Sequence, residues 1–229
     1  MTERRRPLVV AIDGPAASGK SSTAKWVARE LGLLHVDSGS LYRAATAATL
    51  RAEPDATRWT EAMVLAAAAP IHLEPGETTF HPYLGGEDLE AELRGKAVTS
   101  NVSLVAQMPG VRAWVNRQVQ AAAEGHPVVV DGRDMGTAVL PRARVKVFLV
   151  ADPWERARRR LVQRLQRAPE DAEIAAEVDA LTQRDAKDEA QTQQASDAVL
   201  IDTTYLTQEE QVERIVALAR QALKGAPQD

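Results

Sequence analysis

The chain has 229 residues, 45% hydrophobic and 26% charged, with a formal net charge of −4, no cysteine and four histidines. That composition excludes a disordered chain, gives no global pull toward a nucleic-acid polymer, and excludes disulfides and thiolate metal sites. His35, His72, His81 and His126 show no metal-ligand spacing, and no stretch approaches the roughly 20 apolar residues that span a bilayer.

Arg4-Arg5-Arg6 precede an apolar run too short for a secretory signal. The expectation is therefore a cytoplasmic monomer acting on small molecules, with no membrane and no nucleic-acid partner. Leu8-Val9-Val10-Ala11-Ile12 predicts the first strand. It runs into Gly14-Pro15-Ala16-Ala17-Ser18-Gly19-Lys20-Ser21, which completes the pattern G-x-x-x-x-G-K-[ST]. The glycines let the backbone turn tightly, so that successive N–H groups and the next helix N-terminus face one point. Lys20 then reaches the β- and γ-phosphates of a nucleotide, the Ser21 hydroxyl ligates Mg²⁺, and Ser22 adjoins them. An ordinary strand–helix turn needs no such full pattern, so the loop predicts a bound nucleoside triphosphate.

The first helix runs from Gly19 to Gly32, and Leu34-His35-Val36 forms a strand leading to Asp37-Ser38-Gly39. Further helices are expected over Ser40–Ala52 and Thr57–Ala69, the second stopped by Pro70. Ile71-His72-Leu73-Glu74, a Pro75-Gly76 turn, Thr78–Leu84, a Gly85-Gly86 turn and Glu87–Glu90 then read as an antiparallel meander. Such a piece is foreign to a parallel sheet and so marks an insertion of roughly 25 residues. Helices at Ala97–Ala106 and Pro109–Glu124 follow.

Continuous apolar runs at Pro127–Asp131, Val145–Val150 and Ala198–Asp202 predict strands buried on both faces. Helices at Pro153–Ala168, Pro169–Gln191 and Gln208–Leu223 fill the gaps, with a frayed tail over Gly225–Asp229. The fold class is α/β, a five-stranded parallel sheet covered by helices on both faces, with a small antiparallel insertion and a helical lid. One domain is expected: core 7–37, 126–152 and 196–224, acceptor region 38–125, and lid 153–195.

Moving a phosphoryl group between anions needs positive charge where the transition state develops. An acceptor phosphate is already ionised at neutral pH, so no general base is required. Arginines beyond the loop are thus expected at the sheet's exits. They occur as Arg43 beside Tyr42, as Arg133 in Asp131-Gly132-Arg133-Asp134-Met135-Gly136-Thr137, and in the basic helix Arg156, Arg158, Arg159, Arg160, Arg164 and Arg167. The basic helix could be a solvated face paired with Glu170-Asp171-Ala172-Glu173. Beside a phosphate loop it predicts instead an arginine lid that closes over the triphosphate and excludes water.

The strings Ile12-Asp13-Gly14-Pro15 with Ser18-Gly19-Lys20, Asp37-Ser38-Gly39 with Tyr42-Arg43, and Asp131 through Thr137 together resemble the bacterial cytidylate kinases. Gly86-Glu87-Asp88-Leu89 with Leu93-Arg94, and Arg184-Asp185 with Asp188, match in the same order, so the resemblance spans about residues 8 to 223. The resemblance implies a nucleoside monophosphate kinase of pyrimidine metabolism that transfers phosphate from ATP, with Mg²⁺, to CMP or dCMP. It places Ser38, Tyr42, Arg43 and Arg133 around the acceptor phosphate, and Ser103, Arg112 and Asp134 at the cytosine. Arg184 and Asp188 fall near the ribose, with Asp37 and Asp131 supporting Mg²⁺ through water.

Lys20, Arg133, Arg159 and Arg184 are then the expected catalytic cations, and Arg156 and Arg160 the expected lid contacts to ATP. Cytosine's chemistry agrees: Asp134 can accept from the N4 amino group, while Arg112 and Ser103 donate to ring acceptors. The chain departs from many relatives at Gln191-Thr192-Gln193-Gln194, where they carry an arginine followed by Pro-Leu. Competing readings are a uridylate, adenylate or shikimate kinase, or a regulatory P-loop NTPase; the guanine-reading Asn-Lys-x-Asp string is absent.

Overall fold

The aliphatic runs and amphipathic stretches become, in chain order, β1 (Val9–Asp13), α1 (Lys20–Leu31), β2 (Leu34–Asp37), α2 (Ser38–Ala52) and α3 (Glu61–Ala68). Then follow β3 (Ile71–Pro75), β4 (Phe80–Leu84), β5 (Glu87–Asp88), α4 (Lys96–Ala106) and α5 (Pro109–Gly125). The chain continues through β6 (Val128–Asp131), β7 (Val145–Val150), α6 (Pro153–Leu165), α7 (Asp171–Asp188), β8 (Val199–Asp202) and α8 (Gln208–Lys224). This computed structural model describes residues 7–224, so Arg4-Arg5-Arg6 and the tail expected at Gly225–Asp229 lie outside the described residues.

The expected five-stranded parallel sheet is present in the order β2-β6-β1-β7-β8, and β3-β4-β5 form the expected separate antiparallel sheet. By its contacts the chain falls into two compact units, one built from Gly32–Val128 and the other from Leu8–Leu31 with 129–224.

In the second unit β1 pairs with β7 in parallel, Val10 opposite Val145 and Asp13 opposite Phe148, and β7 pairs likewise with β8. Val10, Ala11, Ile12, Val147 and Leu149 are buried, as continuous apolar runs require. The run at Ala198–Asp202 behaves differently from expectation. It ends the sheet as an edge strand, leaving Val199 43% and Leu200 54% exposed, because an outermost strand has a neighbour on one side only. Helices α6 and α7 pack through Ala157, Leu161, Ile174 and Leu181 around Ala16 of the phosphate loop, so the lid helices and the loop share one apolar cluster.

The first unit centres on α2, whose Leu41, Ala44, Ala45, Ala47 and Ala48 are buried. Small side chains there let neighbouring helices approach closely. The insertion forms as predicted, with Ile71 opposite Leu84 and Tyr83 opposite Asp88. Gly85 (φ +59°) and Gly86 (φ +87°) supply the two left-handed residues of its tight turn.

Helix ends differ from expectation where capping side chains intervene. The helix expected over Thr57–Ala69 is split into a 3₁₀ turn at Ala56–Arg58 and α3. Asp55 accepts from the Thr57 N–H and Thr60 from the Met63 N–H, so two successive caps start two helices. Helix α6 stops at Leu165 because Gln166 turns left-handed (φ +54°), and a reciprocal Glu170–Glu173 capping box starts α7. A π-helical turn at Met135–Val139 had no counterpart in the sequence pattern.

Candidate active site

The phosphate loop leaves β1 through Gly14, at φ +146°, and enters α1 after Gly19, at φ +92°. At Gly14 two constraints coincide, since a Cβ there would also drive into the Leu149 carbonyl oxygen. Lys20 Nζ folds back over the loop and donates to the Pro15 carbonyl at 2.5 Å, with Ser18 Oγ at 3.5 Å. Burial, reinforced by the neighbouring Arg133, pulls the Lys20 pKa down to about 7, against the opposing pull of Asp131 and Asp13. The Ser21 hydroxyl donates to Asp131 Oδ2 at 2.6 Å. Two hard oxygen donors therefore meet at the base of the loop.

Asp13 was not assigned a role from sequence, yet it organises the site. Buried at the end of β1, its carboxylate accepts the N–H groups of Met135 (2.8 Å) and Gly136 (2.7 Å). It thereby anchors the π-helical turn that carries Asp134. Burial raises its pKa to about 6, and the two N–H groups limit that rise. The available signal was a charged residue closing an apolar strand immediately before Gly14. Asp134 itself is buried at the head of this turn, where its carbonyl accepts from the Ala138 and Val139 N–H groups.

Arg133 donates to the Gly14 carbonyl and to Asp188 Oδ2, both at 2.9 Å. Arg184 Nε lies 3.7 Å from the same Asp188 oxygen. Burial and then Arg133 lower the Arg184 pKa. Arg133 and Arg184 are thus close enough to Lys20 to disfavour its charge.

On the lid, Arg156 donates to the Ala16 carbonyl (2.9 Å) and to Asp185 Oδ2 (2.5 Å), while Asp185 Oδ1 accepts the Ala16 N–H (3.2 Å). Asp185 is the second residue that sequence reading left without a role, although it stands between Arg184 and Asp188. Arg160 and Arg164 each pair with the buried Glu177 at 2.9 Å. Arg159, expected at the transferred group, instead donates to the Thr203 and Thr204 carbonyls at 2.6 and 2.9 Å. It reaches the loop at second hand, since Thr203 Oγ1 lies 3.4 Å from the Ser18 carbonyl. The solvated-face alternative holds for part of the lid: Arg167 pairs with Glu173 and Arg158 with Glu155.

In the other unit Asp37 caps α2, accepting from the Ser40 N–H at 3.2 Å. Ser38 follows, buried in the first turn. Arg43, one turn later, donates to the Leu93 carbonyl and the Thr99 hydroxyl, each at 3.1 Å. The guanidinium of Arg112 lies 6.0 Å from the Tyr42 ring centroid and also donates to the Ala106 carbonyl at 3.4 Å. Ser103 sits half-buried on α4. Tyr42 and Arg112 are therefore brought together from α2 and α5. Among the described residues, no group of three or more His, Asp or Glu side chains converges to hold a metal, and no helix is long and apolar enough to cross a membrane.

A family model described as cytidylate kinase matches residues 10–221. The chain is 42% identical over 222 residues to a cytidylate kinase of Geobacillus kaustophilus (strain HTA426), covering 96% of this chain and 99% of that one. It is 39% identical over 212 residues to a cytidylate kinase of Limosilactobacillus reuteri (strain DSM 20016), covering 91% and 93%. Against that of Lactiplantibacillus plantarum (strain ATCC BAA-793 / NCIMB 8826 / WCFS1) the identity is 38% over 220 residues, covering 93% and 95%.

Proposed function

The chain belongs to the cytidylate kinase family, and from that premise we propose that it transfers the γ-phosphoryl group of ATP to CMP or dCMP, releasing ADP and CDP or dCDP. The observation that carries the reading is geometric: Lys20 folds over the Pro15 carbonyl, Arg133 donates to the Gly14 carbonyl, and Arg133 and Arg184 share Asp188 beside the loop. Cations held this close, and partly dried, suit a ligand bearing several negative charges.

Each residue has a role that follows from its chemistry. The loop N–H groups and Lys20 hold the triphosphate, and the arrival of phosphate charge restores the Lys20 proton. Arg133 and Arg184 offset the charge that grows on the transferred group. In the other unit Arg43, with Ser38 and Tyr42, is assigned to the acceptor phosphate, and Ser103 and Arg112 to the cytosine ring. Asp134 accepts from the cytosine amino group.

The Ser21 hydroxyl and Asp131 carboxylate fit Mg²⁺, which prefers a few hard oxygens and keeps its remaining positions for water and phosphate. When bound, the ion would neutralise phosphate charge. Asp37, capping α2, is assigned to its outer shell. Arg156 and Arg160 are assigned to ATP, with Arg159 supporting the loop through Thr203. The reading is completed by a cytoplasmic, monomeric protein.

The test is a coupled ADP-release assay with ATP and Mg²⁺ across CMP, dCMP, UMP, AMP and GMP. Turnover confined to the cytosine nucleotides is expected. Equal or better turnover of UMP or AMP overturns the substrate assignment.

A further inference from the structure

A phosphate loop binds anions because its backbone N–H groups converge on one point. In this structure the N–H of one loop residue, Ala16, is engaged by an anion supplied by the protein: Asp185 Oδ1 accepts it at 3.2 Å. The other oxygen of the same carboxylate accepts from Arg156 at 2.5 Å, and Arg156 in turn donates to the Ala16 carbonyl at 2.9 Å. One ion pair drawn from α6 and α7 therefore grips both polar groups of a single loop residue. One helical turn further along α7, Asp188 meets Arg133 at 2.9 Å and stands 3.7 Å from Arg184. The spacing of Asp185 and Asp188 places both acids on one face of α7, each against a cation of the phosphate site.

The surroundings are dry enough for these contacts to matter. The Arg156 side chain is 7% exposed and its Nε is buried without a hydrogen-bond partner. Its positive charge is compensated by Asp185, and a phosphate oxygen could compensate it equally well. A carboxylate and a phosphate cannot both take the same edge of the Arg156 guanidinium, because like charges at that distance repel strongly. We propose that Asp185 is an internal stand-in for nucleotide phosphate, a carboxylate latch that ties α7 to the loop through Arg156 and must be displaced when a triphosphate binds. The apparent affinity for triphosphate is then lowered by whatever stability the latch contributes. Removing the acid's charge raises that affinity. This deepens the kinase reading and rests on it.

Asp185→Asn keeps the shape and an acceptor for the Ala16 N–H while removing the charge. Isothermal titration of the full chain with inorganic triphosphate, and separately with ADP, measures the competition directly. The dissociation constant for both is expected to fall about fivefold or more in Asp185→Asn. The KM for ATP should fall with it, while that for CMP stays within twofold. Circular dichroism checks the fold, and Asp185→Ser carries the same test should the asparagine variant unfold. Equal or weaker triphosphate binding by a folded variant, beside a wild-type protein that binds, overturns the latch and leaves the kinase reading standing. A wild-type protein that binds neither probe overturns both.

Discussion

Both units contribute arginines assigned to phosphate, and different elements contact them. Around the loop, Arg133 and Arg156 rest on carboxylates of α7, Asp188 and Asp185. In α2, Arg43 donates to the Leu93 carbonyl and the Thr99 hydroxyl, among its contacts. Exchanging a carboxylate for a phosphate replaces one anion by another, so the net gain is small and the contact is easily reversed. On the proposed assignments the loop side serves the donor triphosphate and the α2 side the acceptor monophosphate, so each can be perturbed separately.

Substitutions that separate the two sides test this contrast. The largest effect is expected at the loop: Lys20→Ala should lower kcat by roughly 10²–10³-fold with no loss of melting temperature, because it removes a phosphate contact rather than core packing. A folded Lys20→Ala protein with near-normal turnover breaks the assignment. On the other side, Arg43→Ala should raise the KM for CMP by about tenfold or more and leave the KM for ATP within twofold. Equal rises in both constants would erase the distinction between the two units.

Base selection comes next in size. Asp134→Asn can turn an amide donor toward the O4 of uracil, so the ratio of kcat/KM for CMP over UMP should narrow by about tenfold. An unchanged ratio means that Asp134 does not read the base.

The pH dependence sharpens the loop side further. With Lys20 depressed to about 7 from an ordinary 10.5, the folded empty protein releases that proton between these values while the unfolded chain keeps it. The unfolded state then binds more protons, and this group's contribution to stability improves as pH rises through that window. Triphosphate binding reverses the shift, so about one proton should be taken up per site at pH 8. Titrations in buffers of different ionisation enthalpy measure that number, and a value near zero excludes recharging of Lys20. The smallest effect is expected at Gln191, in the 3₁₀ turn after α7: a neutral amide offsets little phosphate charge, so Gln191→Ala should change kcat less than twofold.

The loop, the strand positions and the insertion were legible in sequence because each depends on local chemistry. Gly14 and Gly19 announce positive φ, alternating and continuous apolar runs announce strands, and Gly85-Gly86 announces a tight turn. The split at Thr60 was less legible because Asp55 and Thr60 are both competent caps, and only packing selects where helix resumes. The direction of Arg159 was not legible for a related reason. An arginine in a basic helix declares charge but not direction, and here it turns to the carbonyls of Thr203 and Thr204, 44 and 45 residues away in sequence.

By itself the sequence determined the phosphate loop, the α/β order of elements and the residues that mark the cytidylate kinase family, since these rest on backbone conformation, periodicity and short strings. Tertiary structure decided the roles of Asp13 and Asp185. Both contacts join residues far apart in the chain, Asp13 to the turn at Met135 and Gly136, and Asp185 to Ala16. A carboxylate's partner depends on which N–H and which guanidinium the fold carries to it, and no local pattern encodes that meeting.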